Sequence, residues 1–156
     1  MTATDGRPTL LDVNLLVALA WPTHVHHSRA LRWWRRLALR ARSWATCSAT
    51  ELGFVRVSSN RKVFATARSP GEAVELLRRI VELPGHQRWT DDVSILDREL
   101  VDLDRVVGHR QVADAHLVAL ALRHGGRIAT FDRGLVDVVP ANAEGRDLVE
   151  VVDDDR

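Results

Sequence analysis

Four carboxylates in this 156-residue chain, Asp12, Glu51, Asp114 and Asp132, stand where folded proteins often assemble chemistry. Asp12 closes the apolar run TLLDV, and Asp132 follows directly on RIATF. Glu51 lies three residues beyond Ser48 at the start of a helical pattern, and Asp114 shares a 3.6-residue stripe with Leu117, Val118 and Ala121. Each has an everyday reading. Asp12 can cap the helix that follows, Ser48 and Glu51 can form a capping box, Asp114 suits the positive end of a helix, and Asp132 can initiate a turn. If the four converge, those readings together fare worse as the whole explanation, because clustered carboxylates repel and raise one another's pKa. The neutralising partner for an all-oxygen site lacking His and Cys is a hard divalent ion, Mg²⁺ or Mn²⁺. Such a site lowers the pKa of a bound water for attack on a phosphodiester and stabilises the leaving oxygen.

Convergence depends on the elements that carry the acids. TLLDV (9–13) reads as a buried strand and NLLVALA as a helix that Pro22 stops. The segment 24–42 has apolar positions 30, 31, 34, 37, 38 and 41, which puts Trp34 in the core and turns Trp33 outward. SWATCS is a second strand leading into the helix with Glu51. Ser69, Pro70 and Glu72 make a complete helix start, and Pro84-Gly85 ends that helix. HQRWT is a third strand. SILDRELVDLDRVVG is expected to be helical, with Leu96, Leu100, Leu103 and Val107 inward. VADAHLVALALRHGG is another helix closed by glycines, RIATF a strand, DRGLVDV a loop and short helix, and 148–152 a final strand. Strands alternating with helices imply an α/β fold with a parallel sheet between helical layers. In such folds functional residues gather beyond the carboxyl ends of the strands, near the reversal of strand order. All four acids then project from one edge.

The length suits one domain, taken here as 1–156 with a core from about 9 to 152. A hydrophobic share of 46% and a charged share of 28% are those of a globular chain. The lone Cys47 excludes an intramolecular disulfide and a cysteine zinc site, in keeping with a reducing cytoplasm. Neither a leader nor a membrane-spanning run is apparent. The net charge of +1 conceals an excess of eight positive charges in residues 1–80 and of seven negative charges in 81–156. Much of the positive charge lies in RALRWWRRLALRAR (29–42), which could bind a polyanion, dock an acidic partner or be a solvated helix face. Asp97, Glu99, Asp102 and Asp104 read as solvated surface, and His24, His26 and His27 as capping or solvated histidines. No Gly-rich phosphate loop or nucleophile elbow is present. A phosphatase using Asp12 as nucleophile would want a second Asp two residues on, where Asn14 stands.

The phrases LLDVNLLVAL, ATELGFVRVSSN and VADAHLVALALRHGGRIATFDRGL resemble a PIN-domain ribonuclease toxin of the VapC type, over about Thr9 to Val152. The resemblance implies an α/β/α sandwich with a central parallel sheet and a metal-dependent endoribonuclease site. It would make Asp12, Glu51, Asp114 and Asp132 the acidic quartet, with Asp12 and Asp114 the foremost ligands of Mg²⁺, for which Mn²⁺ can substitute, and with Asp132 and Glu51 binding it directly or through water. Asn14 and Thr130 match supporting polar positions, and Arg110, His116 and Arg133 flank the acids as candidate RNA contacts. Glu51 is expected both to shape its helix start and to face the metal. The resemblance further implies an RNA substrate, a homodimer and a cognate VapB-type antitoxin. The alternative is a PIN-like module that binds RNA or a partner without cutting.

Overall fold

The computed structural model describes residues 6–141 and 147–153. Five strands, β1 (Thr9–Leu11), β2 (Trp44–Cys47), β3 (His86–Trp89), β4 (Arg127–Thr130) and β5 (Val149–Val151), form one sheet in the order β3-β2-β1-β4-β5. Every pairing is parallel. β1 and β2 are wholly buried, as strands covered on both faces must be, and this is why they read as continuous apolar runs. The chain steps outward from β1 through β2 to β3, then returns to the other side of β1 as β4 and β5. The order therefore reverses between β1 and β4.

Helices α1 (Val13–Ala20), α2 (His27–Leu39), α3 (Ser48–Ser58), α4 (Pro70–Val81) and α5 (Gln111–Arg123) cover the sheet. On one face Leu117, Leu120 and Ala121 of α5 pack with Leu10, Cys47 and Ile128. On the other, Leu15, Leu16, Leu37, Phe54 and Leu77 pack with Leu11, Trp44 and Ala129. The result is the expected α/β/α sandwich. Ser69 and Glu72 close the capping box of α4, and Gly125, at φ 61°, ends α5 in the left-handed region that favours glycine. Among the described residues no helix is long and apolar enough to cross a membrane.

Three expectations need correction. Residues 94–108 form turns and one 3₁₀ turn, Leu103–Arg105, instead of a helix, and Leu96 and Val107 are exposed. Side chains there outcompete the helix for backbone donors. Ser94 accepts from Leu96 N, Asp97 from Glu99 N and Asp102 from Asp104 N, at 3.1, 3.0 and 3.2 Å. The two tryptophans also exchange roles. Trp33 is buried and Trp34 half-buried, because the inner stripe of α2 runs through Ala30, Trp33 and Leu37, rotated from the one expected. Finally, α3 is boxed by Cys47 and Thr50: the Thr50 hydroxyl accepts from Cys47 N at 3.0 Å, so Ser48 and Glu51 do not form the cap. The expected tail lies beyond the described residues after Asp153.

Gly53 lets α3 approach α1 beside Asp12. A Cβ there would overlap the Cγ2 of Val13, a β-branched side chain with little freedom to move. Gly53→Ala is therefore expected to lower stability by about 1 kcal/mol, overpacking outweighing the ~1 kcal/mol helix preference of alanine. Urea unfolding of Gly53→Ala, Val13→Ala and the double variant checks this. The double variant should be more stable than the sum of the single losses allows, and strict additivity would show that the contact is unimportant.

Candidate active site at the carboxyl edge of the sheet

Asp12 follows β1 in extended conformation and caps α1, its Oδ1 accepting from Val13 N at 2.7 Å. Its Oδ2 accepts from the Thr130 hydroxyl, also at 2.7 Å, across the strand-order reversal. Thr130 Oγ1 accepts in turn from Asn14 Nδ2 at 3.2 Å and from Asp132 N at 3.0 Å. Asn14 Oδ1 takes Phe131 N at 3.3 Å. One buried hydroxyl thus ties the end of β1 to the end of β4, with Asp12 and Asp132 on either side of it. Asp132 is turned by its own Oδ1, which accepts from Gly134 N at 2.7 Å.

Asp114 enters from the opposite layer, in the first turn of α5. Its pKa is pushed up to about 6, first by burial and then by the charges of Asp12 and Asp132. Burial also raises the pKa of Asp12, against the lowering effect of its bonds from Thr130 and Val13; Asp132 adds a further raise. The three aspartates therefore feel one another's charge. Among the described residues, no three His, Cys, Asp or Glu side chains stand together as a preassembled metal nest. The donor set is nevertheless all oxygen, and its mutual repulsion is what a hard divalent ion would relieve. Asp12, Asp114 and Asp132 are the residues that could hold one.

Glu51 lies in the first turn of α3 at the same edge but keeps other company. Its Oε1 accepts from the Thr46 hydroxyl at 2.9 Å and stands 3.5 Å from Arg88 Nε. Thr46 also meets His86 Nε2 at 2.9 Å, so this network leans toward β3. Burial lowers the pKa of His86, with Glu51 acting in the opposite direction. Neither Asp12 nor Asp114 has Glu51 among the charges that shift it.

A cleft of about 780 Å³ opens beside Asp12 and Asp114, and Arg56, His109 and His116 line it. His116 Nε2 is held 2.9 Å from Asp91. Arg133 turns away to Asp153 at 3.0 Å, and Arg110 is exposed at the head of α5 without lining the cleft. Arg56 and His109 were not singled out from the sequence. The available signal for Arg56 was its place one helical turn beyond Gly53, on the face that meets Asp12; for His109, its place next to Arg110, just ahead of α5.

The sequence model of the PIN domain family matches residues 9–139. Ribonuclease VapC39 of Mycobacterium tuberculosis is 46% identical over 143 residues, covering 92% of this chain and 98% of the relative. Ribonuclease VapC38 of the same organism is 48% identical over 126 residues, covering 81% and 86%, and Ribonuclease VapC44 is 42% identical over 126 residues, covering 81% and 87%.

The raised Asp114 pKa has a stability consequence of definite sign. Between the ordinary 3.8 and about 6 the native state holds a proton that the unfolded chain releases. The site's contribution is therefore complete below pH 3.8 and is lost as the pH rises through that window. Without divalent ions, Asp114→Asn should be more stable than the wild type at pH 7.5 by about 1 kcal/mol, the full shift being discounted for solvent screening. At pH below about 4 the advantage should vanish. Urea titrations at both pH values measure it, and an identical difference at the two would contradict the charge argument.

Proposed function

This chain belongs to the PIN-domain family, and from that premise we propose that it is a divalent-metal-dependent endoribonuclease, the toxin of a type II toxin–antitoxin pair. The observation that carries the reading is that Asp12, Asp114 and Asp132, carried on two strand ends and a helix, feel one another's charge, with the Asp114 pKa pushed up to about 6. Relatives named as ribonucleases, alike over most of their length, support it.

In this reading Asp12, Asp114 and Asp132 hold Mg²⁺, with Mn²⁺ able to substitute. When bound, the ion supplies an activated water and charge stabilisation at the leaving oxygen. Thr130 and Asn14 fix the direction of the Asp12 carboxylate and the backbone of Asp132. Arg56 offers positive charge and His109 a ring N–H to RNA phosphates entering the cleft, and His116 is oriented there by Asp91. Glu51 belongs to the rim, its charge offset by Arg88. The protein is then a single nuclease domain of the cytoplasm, acting as a homodimer and restrained by a cognate antitoxin. A second reading, a module that binds RNA or a partner without cutting, is favoured by the lack of a preassembled ligand nest among the described residues.

Incubation of purified protein with total cellular RNA, in Mg²⁺ or Mn²⁺ and in EDTA, separates the two. Discrete products are expected only with the metal. Asp114→Asn should lower the cleavage rate by about 100-fold or more, Glu51→Gln by about tenfold, and Asp97→Asn should cleave like the wild type. Cleavage in EDTA, or equal loss in Asp97→Asn and Asp114→Asn, would overturn the assignment. Intact RNA in every lane, from folded protein, would favour the binding module.

A further inference from the structure

At the other edge of the sheet, where β1, β2 and β4 begin, a second group of polar side chains is not used by the acidic site. Trp33, Arg36, Leu37, Arg40, Arg42 and Glu150 enclose a cavity of about 180 Å³. An adjoining hollow of about 470 Å³ shares Trp33, Arg36 and Glu150, reaches Arg127 and is also lined by Asp147 and Asp153. Thr9 lies on the same face of the sheet, two residues before Leu11 in β1. Thr9 Oγ1, Arg42 Nε and Glu150 Oε2 are buried yet make no hydrogen bond among the described residues. Glu150 Oε1 takes the Trp33 indole N–H at 2.8 Å, and Arg127 Nη1 stands 3.8 Å from Glu150 Oε2. Arg36, Arg40 and Arg42 form no ion pair among the described residues.

The dipole of α2 accounts for a basic residue in its last turn, but not for a buried guanidinium N–H beyond it. An anion with several acceptor oxygens would pair with these guanidinium groups, and a phosphate diester meets that description. Glu150, with Asp147 and Asp153 in the adjoining hollow, limits it to the smaller cavity, on the side of Arg36, Arg40 and Arg42. The positive charge also continues out of the cavity. Residues 27–42 hold six arginines and no acid. Their helix starts beside the acidic edge, where His26 packs on Phe131 and Arg29 lies 5.7 Å from the centre of the Phe131 ring. It ends at the cavity, a run of roughly 20 Å for a helix of this length. A free phosphate would need the cavity alone, whereas a track leading back to Asp132 suits a nucleic-acid strand.

We propose that the cavity under the end of α2 is a phosphate subsite for RNA, engaging the substrate backbone remote from the scissile bond. It rests on the reading of the chain as a protein that acts on RNA. Arg36 and Arg40, both exposed, carry the test, and Arg78 and Arg79 on α4 supply an equal charge change elsewhere.

Binding of bulk transfer RNA is measured in EDTA, where no cleavage is expected, as a function of KCl. Arg36→Glu/Arg40→Glu should weaken binding about tenfold or more and reduce the slope of log affinity against log salt by about two, while Arg78→Glu/Arg79→Glu loses less than about threefold. In parallel, inorganic phosphate titrated into wild-type protein should shift the NMR signals of Arg42 Nε–H and Trp33 Nε1–H. Equal losses in the two pairs of variants, or unmoved signals, would overturn the proposal. Shifted signals with RNA binding indifferent to Arg36 and Arg40 would overturn the RNA assignment, leaving a free-phosphate site. A wild type that binds RNA in this way but never cuts it with Mg²⁺ would sink the nuclease reading and support this one.

Discussion

The hydroxyl of Thr130 is the joint on which the acidic edge depends. It gives its proton to Asp12 and receives from Asn14 and from the backbone of Asp132. Those bonds cross between β1 and β4, where the strand order reverses and the loops diverge to leave a crevice. A buried carboxylate this close to two others would otherwise be neutralised by a proton. The bonds from Thr130 and Val13 offset part of the rise that burial imposes on the Asp12 pKa, while Asp114, which has no such bonds among the causes of its shift, has its pKa raised to about 6. The fold thus stores a charge conflict at one point, which a divalent cation would relieve in the proposed reading.

The placement of Asp12, Asp114 and Asp132 was legible because each is tied to an element boundary that apolar patterning reveals. Two close buried strands and the third opens α5, so a parallel sheet brings them to one edge. Glu51 was harder. Its sequence position predicts the edge but not the direction of the side chain, which Thr46 and Arg88 decide from neighbouring strands. The capping box was misassigned for a related reason. Ser48 and Thr50 both suit a helix start, and only the backbone shows that the helix begins after Cys47. The stretch 94–108 has helical spacing of its leucines, yet its Ser and Asp side chains bind the backbone locally and leave turns. Trp33 exchanged places with Trp34, and Glu150 of β5, distant in sequence, offers its indole a half-buried partner.

Charge is organised along the sheet as well as across it. The carboxyl edge concentrates aspartates, α2 carries arginines down one layer, and the amino edge ends in a cavity where Arg42 Nε and Glu150 Oε2 have no hydrogen-bond partner among the described residues. A net charge of +1 conceals this arrangement, which only the distribution between the two halves of the chain hinted at. Such polarity orients a polyanion before any base is read. It is repelled by bare carboxylates and drawn to the helix beside them, so cation occupancy at the acids and RNA engagement along α2 are expected to favour each other.

The central claim is that the three aspartates together make a divalent-ion site. Its most direct test is a Mn²⁺ titration of the purified protein followed by electron paramagnetic resonance, comparing wild type with Asp12→Asn. Asparagine retains the helix cap while removing the charge. A saturable site in the wild type that is weakened at least about tenfold in Asp12→Asn, with unchanged circular dichroism, is the result expected for a lost carboxylate ligand. Equal Mn²⁺ binding by the two proteins would contradict it.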